Sequence, residues 1–246
     1  MTKRLSASSA ARIMACPASA NLDVAIPGWK EPVRTVGGAA QAGTDVHQVI
    51  QDLIGIKYET LTKTTKFSAK DMLAVARILQ YIGELWSTRR FSVLSEETVE
   101  AHWLQTKPKT TGDLVFYTQD EIHVLDTKWG KIPVDVNDNE QLMFYALAYA
   151  GLAPRAKGVT VHILQPRADN MDSQFLPTTK LAQFKADTIA AEAKILAKDL
   201  TFGPSDHCTF CPANPHSRGV KGSPLCPTVL NIHYPKLVDE DEILNL

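Results

Sequence analysis

Residues 111–149 read TGDLVFYTQDEIHVLDTKWGKIPVDVNDNEQLMFYALAY. Two short strand-like runs lie in this stretch, Leu114–Thr118 and Glu121–Lys128. Asp113 opens the first, and Asp126-Thr127-Lys128 closes the second. Side chains alternate faces along a strand, so Asp126 and Lys128 share a face with Ile122 and Val124. A face that is apolar, then acidic, then basic at its end describes a core edge opening into a site. Beyond the polar loop Lys131–Asn139, a helix is expected over Glu140–Gly151, capped by Asp138 or Asn139. Leu142, Tyr145, Ala146 and Tyr149 form its core stripe, and Gln141 and Tyr145 share a face at i and i+4.

The residue types point to metal-assisted hydrolysis. Two carboxylates on adjacent strands hold a hard divalent cation through oxygen. A lysine beside them orients or deprotonates a water and offsets developing negative charge. Phosphodiester cleavage uses these parts. D-x-K alone is common by chance, and a surface hairpin with a salt bridge would also show it. The surroundings favour a site: Gly112 before Asp113, Gln141 and Tyr145 after, and Gly43-Thr44-Asp45-Val46-His47 upstream.

Taken in order, these segments resemble the RecB-like exonuclease branch of the PD-(D/E)XK nuclease superfamily, and within it a phage-associated group. The shared pattern is G-T-x-x-H at Gly43 to His47, G-D at Gly112-Asp113, V-x-D-x-K-x-G at Val124 to Gly130, and Q-L-x-x-Y-A-L at Gln141 to Leu147. No single motif is specific; the ordered set is, and it spans nearly the whole chain. The resemblance implies an α/β fold, a PD-(D/E)XK (restriction-endonuclease-like) core with a short mixed sheet flanked by helices. It implies a metal-dependent DNA exonuclease. Asp113, Asp126, His47 and the backbone carbonyl of Thr127 would bind Mg²⁺ or Mn²⁺, Lys128 would position water, and Gln141 and Tyr145 would steady DNA or the lysine. It further implies processing of DNA ends for phage recombination or replication, with a single-strand annealing protein as a partner. Relatives carry an acidic residue near Glu96 and Glu97; which of the two faces the site depends on register. They often carry another shortly after the histidine, where this chain has Gln51.

The four cysteines are Cys16, Cys208, Cys211 and Cys226. Cys208 and Cys211 form C-x-x-C, and Cys226 follows in a loop rich in Pro and Gly. Metal ligation accounts for this set better than unligated thiols. One early and three late cysteines resemble the iron–sulfur clasp of several RecB-like nucleases, a 4Fe-4S cluster held by four thiolates. The gap from Cys211 to Cys226 is longer than that pattern, so structural zinc stays open, with His207 or His216 able to replace one sulfur.

Composition sets the bounds. The chain has 246 residues, 44% hydrophobic, with net charge −1. This length suits one compact domain with a side extension or two small domains; the resemblance implies a single nuclease domain over 1–246, with a metal clasp formed by 6–22 and 201–230. Near-neutral charge requires nucleic-acid contacts to use local basic patches. Lys107, Lys109, Arg89, Arg90 and Arg167 are candidates, although cations at the end of the helix expected over Ser68–Arg90 also suit its dipole. The longest apolar run, Leu142–Ala153, is too short for a bilayer, and no signal peptide is evident. A cytoplasmic location follows, the host's if phage-encoded, with no membrane partner.

The remaining segments complete the expected order of helix, three strands, helix, strand, helix. A short helix is expected within Ser6–Leu22, capped by Ser6 or Ser8 and stopped by Pro17, and longer ones over Gln41–Lys57 and Thr178–Leu200. Strands are expected over Phe91–Leu104 and Gly158–Gln165, with Gln105–Thr111 a basic turn. Residues 23–40 and Thr60–Phe67 read as loop, and Asp239–Glu242 as a frayed acidic end. Two rival functions remain: a DNA-binding or adaptor module that keeps the fold without catalysis, and a nuclease acting on RNA.

Overall fold

A computed structural model describes residues 5–30, 43–50, 68–214 and 226–228. Gln51, His216, the connector 60–67 and the acidic end 239–242 lie outside the described residues, as do parts of the segments 23–40 and 41–57. The chain forms two compact units, one of residues 35–102 and 109–184, the other of 1–34, 103–108 and 185–246.

The first unit is built on five strands: β1 Ser92–Glu100, β2 Lys109–Tyr117, β3 Ile122–Thr127, β4 Gly158–Gln165 and β5 Asn170–Pro177. They lie in sequence order. All neighbours are antiparallel except β3 and β4, which run parallel. A parallel pair needs a crossover, and the helix Glu140–Tyr149 lies in it. Every residue of β3 is buried, as expected of a strand covered on both faces. The fold is therefore α/β, with a mixed sheet flanked by helices.

Helix 43–50 and the helix Ala69–Thr88 pack on one face. Val46, Val49 and Ile50 join Val75, Ile78 and Ile82 against Leu114, Phe116, Leu125 and Leu164. Burying side chains of this size contributes roughly 1.5–3 kcal/mol each. Ser68 caps the longer helix by accepting from Asp71 N at 3.2 Å. Asn139 caps the crossover helix by accepting from Gln141 N and Leu142 N at 3.1 and 3.2 Å. The crossover helix buries Leu142, Met143, Phe144, Tyr145, Ala146 and Tyr149.

One polar chain runs through the packed face. Glu121 Oε1 lies 2.9 Å from His123 Nε2, His123 Nδ1 lies 2.9 Å from His162 Nε2, and His162 Nδ1 lies 2.9 Å from Tyr81 Oη. A carboxylate only accepts, so with neutral rings every bond points toward Glu121: Tyr81 donates to His162, His162 to His123, and His123 to Glu121. Burial first, then His123, holds His162 down at about 3.

Among its described residues the second unit consists mainly of short turns and helices. Its N-terminal part is a 3-10 turn Ala7–Ser9, a helix Ala10–Ala15, a 3-10 turn Pro17–Ala20 and a helix Leu22–Ala25. Pro17 opens a turn here as well as stopping a helix, because it occupies the first position, where no N–H is needed. The helix Thr178–Leu196 contributes its C-terminal part. There buried Glu192 accepts from Gln105 N and Thr106 N at 2.7 and 2.9 Å, and Thr188 accepts from Trp103 Nε1 at 3.1 Å. Gly203 lies so close to Ala15 that a Cβ would stand 1.9 Å from its carbonyl oxygen.

Several expectations need correction. β1 stops at Glu100, and Trp103 and Leu104 lie in turns. β2 begins at Lys109, inside the expected basic turn. The helix expected to reach Leu200 ends at Leu196. Within 6–22 the short helix ends at Ala15, ahead of Pro17 as expected, and further short turns and a helix follow it. The strand β5 was not expected: NMDSQFLP is polar because an edge strand faces solvent, and only Leu176 along it is buried.

Candidate active site and cysteine cavity

The ladder pairs Leu114 with Leu125, which sets Asp113 opposite Asp126. It also pairs Ser95 with Leu114 and Glu97 with Gly112, which sets Glu96 opposite Asp113. Three carboxylates thus stand in one row across β1, β2 and β3. Sequence left Glu96 and Glu97 undecided; the register selects Glu96.

His47 faces the row from its helix. Its Nε2 lies 3.0 Å from Thr127 O and 3.6 Å from Asp113 Oδ2, and its Nδ1 lies 3.5 Å from Glu96 Oε1. Asp113 Oδ2 also accepts from Thr127 N at 2.6 Å. One ligand atom from each of His47, Glu96 and Asp113 lies within 4.8 Å of the others. These three residues and Thr127 line one small cavity.

Asp126 stands beside that group, 3% exposed. Lys128 Nζ approaches its Oδ2 to 2.8 Å as an ion pair. The approach falls outside hydrogen-bonding geometry, so this buried oxygen has no donor. Lys128 Nζ donates to Gln141 Oε1 at 3.1 Å, and Gln141 Nε2 donates to Tyr145 Oη at 2.9 Å. Burial first, then Asp126, raises the Tyr145 phenol well above its usual range, so it stays protonated. Asp113 is pushed up to about 7, chiefly by burial and then by Asp126, against opposing pulls from His47 and the Thr127 amide. Burial and the neighbouring Asp126 thus hold Asp113 toward its protonated form, and Asp126 Oδ2 meets the Lys128 ammonium without a well-aligned hydrogen bond. Oxygen and imidazole donors converging in this way fit a hard divalent cation.

The segment after Lys128 is held from below. Gln165, 1% exposed, donates through Nε2 to Gly130 O and Ile132 O at 3.1 and 2.8 Å. Its Oε1 accepts from Val134 N at 2.9 Å. Arg167 stacks over Trp129, 5.3 Å from the ring centroid, and Arg89 pairs with Glu121 at 3.0 Å.

In the other unit, Cys16, Cys208, Cys211 and Cys226 line one cavity with Arg12, Leu22 and Phe202. None of the four forms a disulfide. Cys211 N donates to Cys208 O at 3.1 Å, and Cys226 N to Ala213 O at 3.4 Å. Burial pushes the Cys211 thiol up. Arg12 donates to Ser19 O at 2.7 Å, and the thiols of Cys211 and Cys16 act on its guanidinium, which burial lowers. The four soft donors line one space with a cation beside them, but among the described residues no three of these sulfurs stand within 4.8 Å of one another, wider than a single tetrahedral ion would hold them.

Among the described residues no helix is long and apolar enough to cross a membrane. The solved structure titled "Crystal structure of SSO0001" is similar at 12% identity and a TM-score of 0.33, over 68% of this chain and 81% of that one. A family model described as "Protein of unknown function (DUF2800)" matches residues 3–246, and the chain belongs to that family.

Proposed function

We propose that this protein is a metal-dependent nuclease with a PD-(D/E)XK core, hydrolysing phosphodiester bonds at DNA ends. The row of Glu96, Asp113 and Asp126 across three strands, with Lys128 on one side and His47 on the other, carries this reading. The ordered motifs of the sequence support it.

His47, Glu96, Asp113, Asp126 and the Thr127 carbonyl would hold Mg²⁺ or Mn²⁺. When bound, such an ion polarises the phosphate and lowers the pKa of water. The protein's own contributions are distinct. Lys128 places an ammonium beside Asp126, where it orients a water and offsets the charge that develops as a P–O bond forms to water and another breaks. Gln141 fixes the ammonium, and Tyr145 fixes Gln141. Gln165 keeps the segment after Lys128 from shifting the lysine backbone. The four cysteines would hold an iron–sulfur cluster or zinc that braces the second unit. The associated role is the processing of DNA ends in recombination or replication, beside a single-strand annealing protein.

The test is cleavage of linear, circular and single-stranded DNA and of RNA, with Mg²⁺, with Mn²⁺ and with chelator. Loss of linear DNA that needs the cation and Asp126 is expected. DNA binding without cleavage would favour an adaptor module, and cleavage of RNA alone would move the substrate class.

A further inference from the structure

The crossover helix that carries Gln141 and Tyr145 delivers a third side chain one turn further on. Tyr149 is 1% exposed. Its hydroxyl donates to Glu97 O and accepts from Gly112 N, the latter at 2.8 Å. Glu97 and Gly112 face each other in the ladder between β1 and β2. The hydroxyl therefore bridges two backbone groups of that ladder, at the position next to Glu96 and Asp113.

Glu96 is where the backbone departs from a strand. Its φ is 50°, in the left-handed region that a residue with a Cβ enters at a cost. The pairs on either side, Ser95 with Leu114 and Glu97 with Gly112, keep the same register. No residue is inserted, so this is a local turn of one residue rather than a bulge. Its result is that Glu96 Oε1 stands 3.5 Å from His47 Nδ1, within the group of three ligand atoms. Gly112 is part of the same arrangement: a Cβ there would meet Tyr149 Cε2 at 2.9 Å.

We propose that Tyr149 is a positioning residue whose hydroxyl, bridging Glu97 and Gly112, keeps Glu96 turned toward His47 and Asp113 as a ligand of the divalent cation. The proposal rests on reading that group as a cation site. Tyr149 touches neither ion nor substrate and acts through the backbone on both sides of Glu96. Burial, ahead of the opposing Gly112 hydrogen bond, raises the phenol above its usual range, so it remains the donor that the Glu97 carbonyl needs.

The test is Mn²⁺ binding by titration calorimetry on the full chain, for wild type, Tyr149→Phe, Glu96→Gln and the double variant. Phe keeps the ring in the core and removes only the bridge. Affinity is expected to fall about tenfold in Tyr149→Phe, as for other groups that orient metal ligands. The double variant should bind no more weakly than Glu96→Gln alone, because the effect passes through Glu96. Unchanged affinity in Tyr149→Phe, with or without a lower melting temperature, overturns the proposal. So do losses that add in the double variant. Should Tyr149→Phe fail to fold, Gly112→Ala presses on the same ring from the strand side. It is expected to weaken Mn²⁺ only when Glu96 is present, and an equal loss in the Glu96→Gln background overturns the proposal. Wild type that binds no Mn²⁺ overturns the cation-site reading itself, an outcome distinct from equal binding by wild type and Tyr149→Phe.

Discussion

The chain gathers two sets of metal-seeking side chains, and it holds them in opposite ways. Glu96, Asp113 and Asp126 sit on three paired strands, so the ladders fix their spacing. The frame forces like charges together, and Asp113 is driven up to about 7, by burial first and Asp126 next. Cys16, Cys208, Cys211 and Cys226 sit in and between short turns, joined by a few backbone hydrogen bonds. In the first case the protein imposes geometry on the ligands. In the second, a bound metal would impose geometry on the protein. Loss of a ligand should therefore cost chemistry at the sheet and stability at the cysteines.

Four experiments press on that contrast. Asp126→Ala removes a buried carboxylate from the row and should reduce cation-dependent cleavage of linear DNA by about a thousandfold or more. Its melting temperature should not fall in proportion, since a repulsive charge leaves with it. Lys128→Ala should lower kcat by roughly a hundredfold while Mn²⁺ affinity stays near wild type, because the ammonium acts mainly in the transition state. A matching loss of Mn²⁺ affinity would make Lys128 part of the binding frame instead. Cys211→Ser should show the converse: a melting temperature lower by roughly 5 °C, less bound metal by elemental analysis, and wild-type kcat for the molecules that remain folded. A brown wild-type protein would assign iron–sulfur, and a colourless protein with one zinc would assign zinc.

A pH response belongs to neither set. His162 is held at about 3 in the fold by burial and by His123, against about 6.5 in an unfolded chain. Between those values the unfolded state binds the extra proton, so the stability that neutral His162 contributes is full above about pH 6.5 and declines as pH falls toward 3. The slope is at most about 1.4 kcal/mol per pH unit for one proton. Asp113, held at about 7, takes up a proton in the fold over much of the same range and slopes the opposite way, so the readout is the difference between wild type and His162→Gln in urea unfolding. That difference should decline toward pH 3, and an identical pH dependence in the two proteins would show that His162 is not held neutral.

Much of the sheet unit was legible because its signals are local. Ser68 opens the helix expected over Ser68–Arg90, and Asn139 is one of the two caps expected before the next apolar stripe; both side chains cap their helices. GVTVHILQ is bounded by Gly158 and Pro166, and β4 ends where those residues put it. Strand β5 was missed because an edge strand needs no apolar alternation, and Asn170-Met171-Asp172-Ser173 shows none. Glu96 could not be told from Glu97 because strand parity is meaningful only once β1 is registered against β2. Tyr149 read as core, which its ring is; that its hydroxyl enters a ladder depends on a neighbour 37 residues away. The four cysteines could be grouped by type but not placed, since nothing in C-x-x-C says where Cys16 comes to rest.

The way the two units divide the chain also sets an order of events during synthesis. Among the described residues every strand lies before Phe184, within the unit of 35–102 and 109–184. The other unit takes residues from both sides of it. On a ribosome the sheet is complete while Cys208, Cys211 and Cys226 are still unmade. About forty residues separate Phe184 from Cys226, some 2–8 s of elongation at roughly 5–20 residues per second. Within that interval Cys208 and Cys211 come 24 and 27 residues after Phe184 and Cys226 another 15 residues on, so a site using all four with Cys16 could close only after the last of them is made.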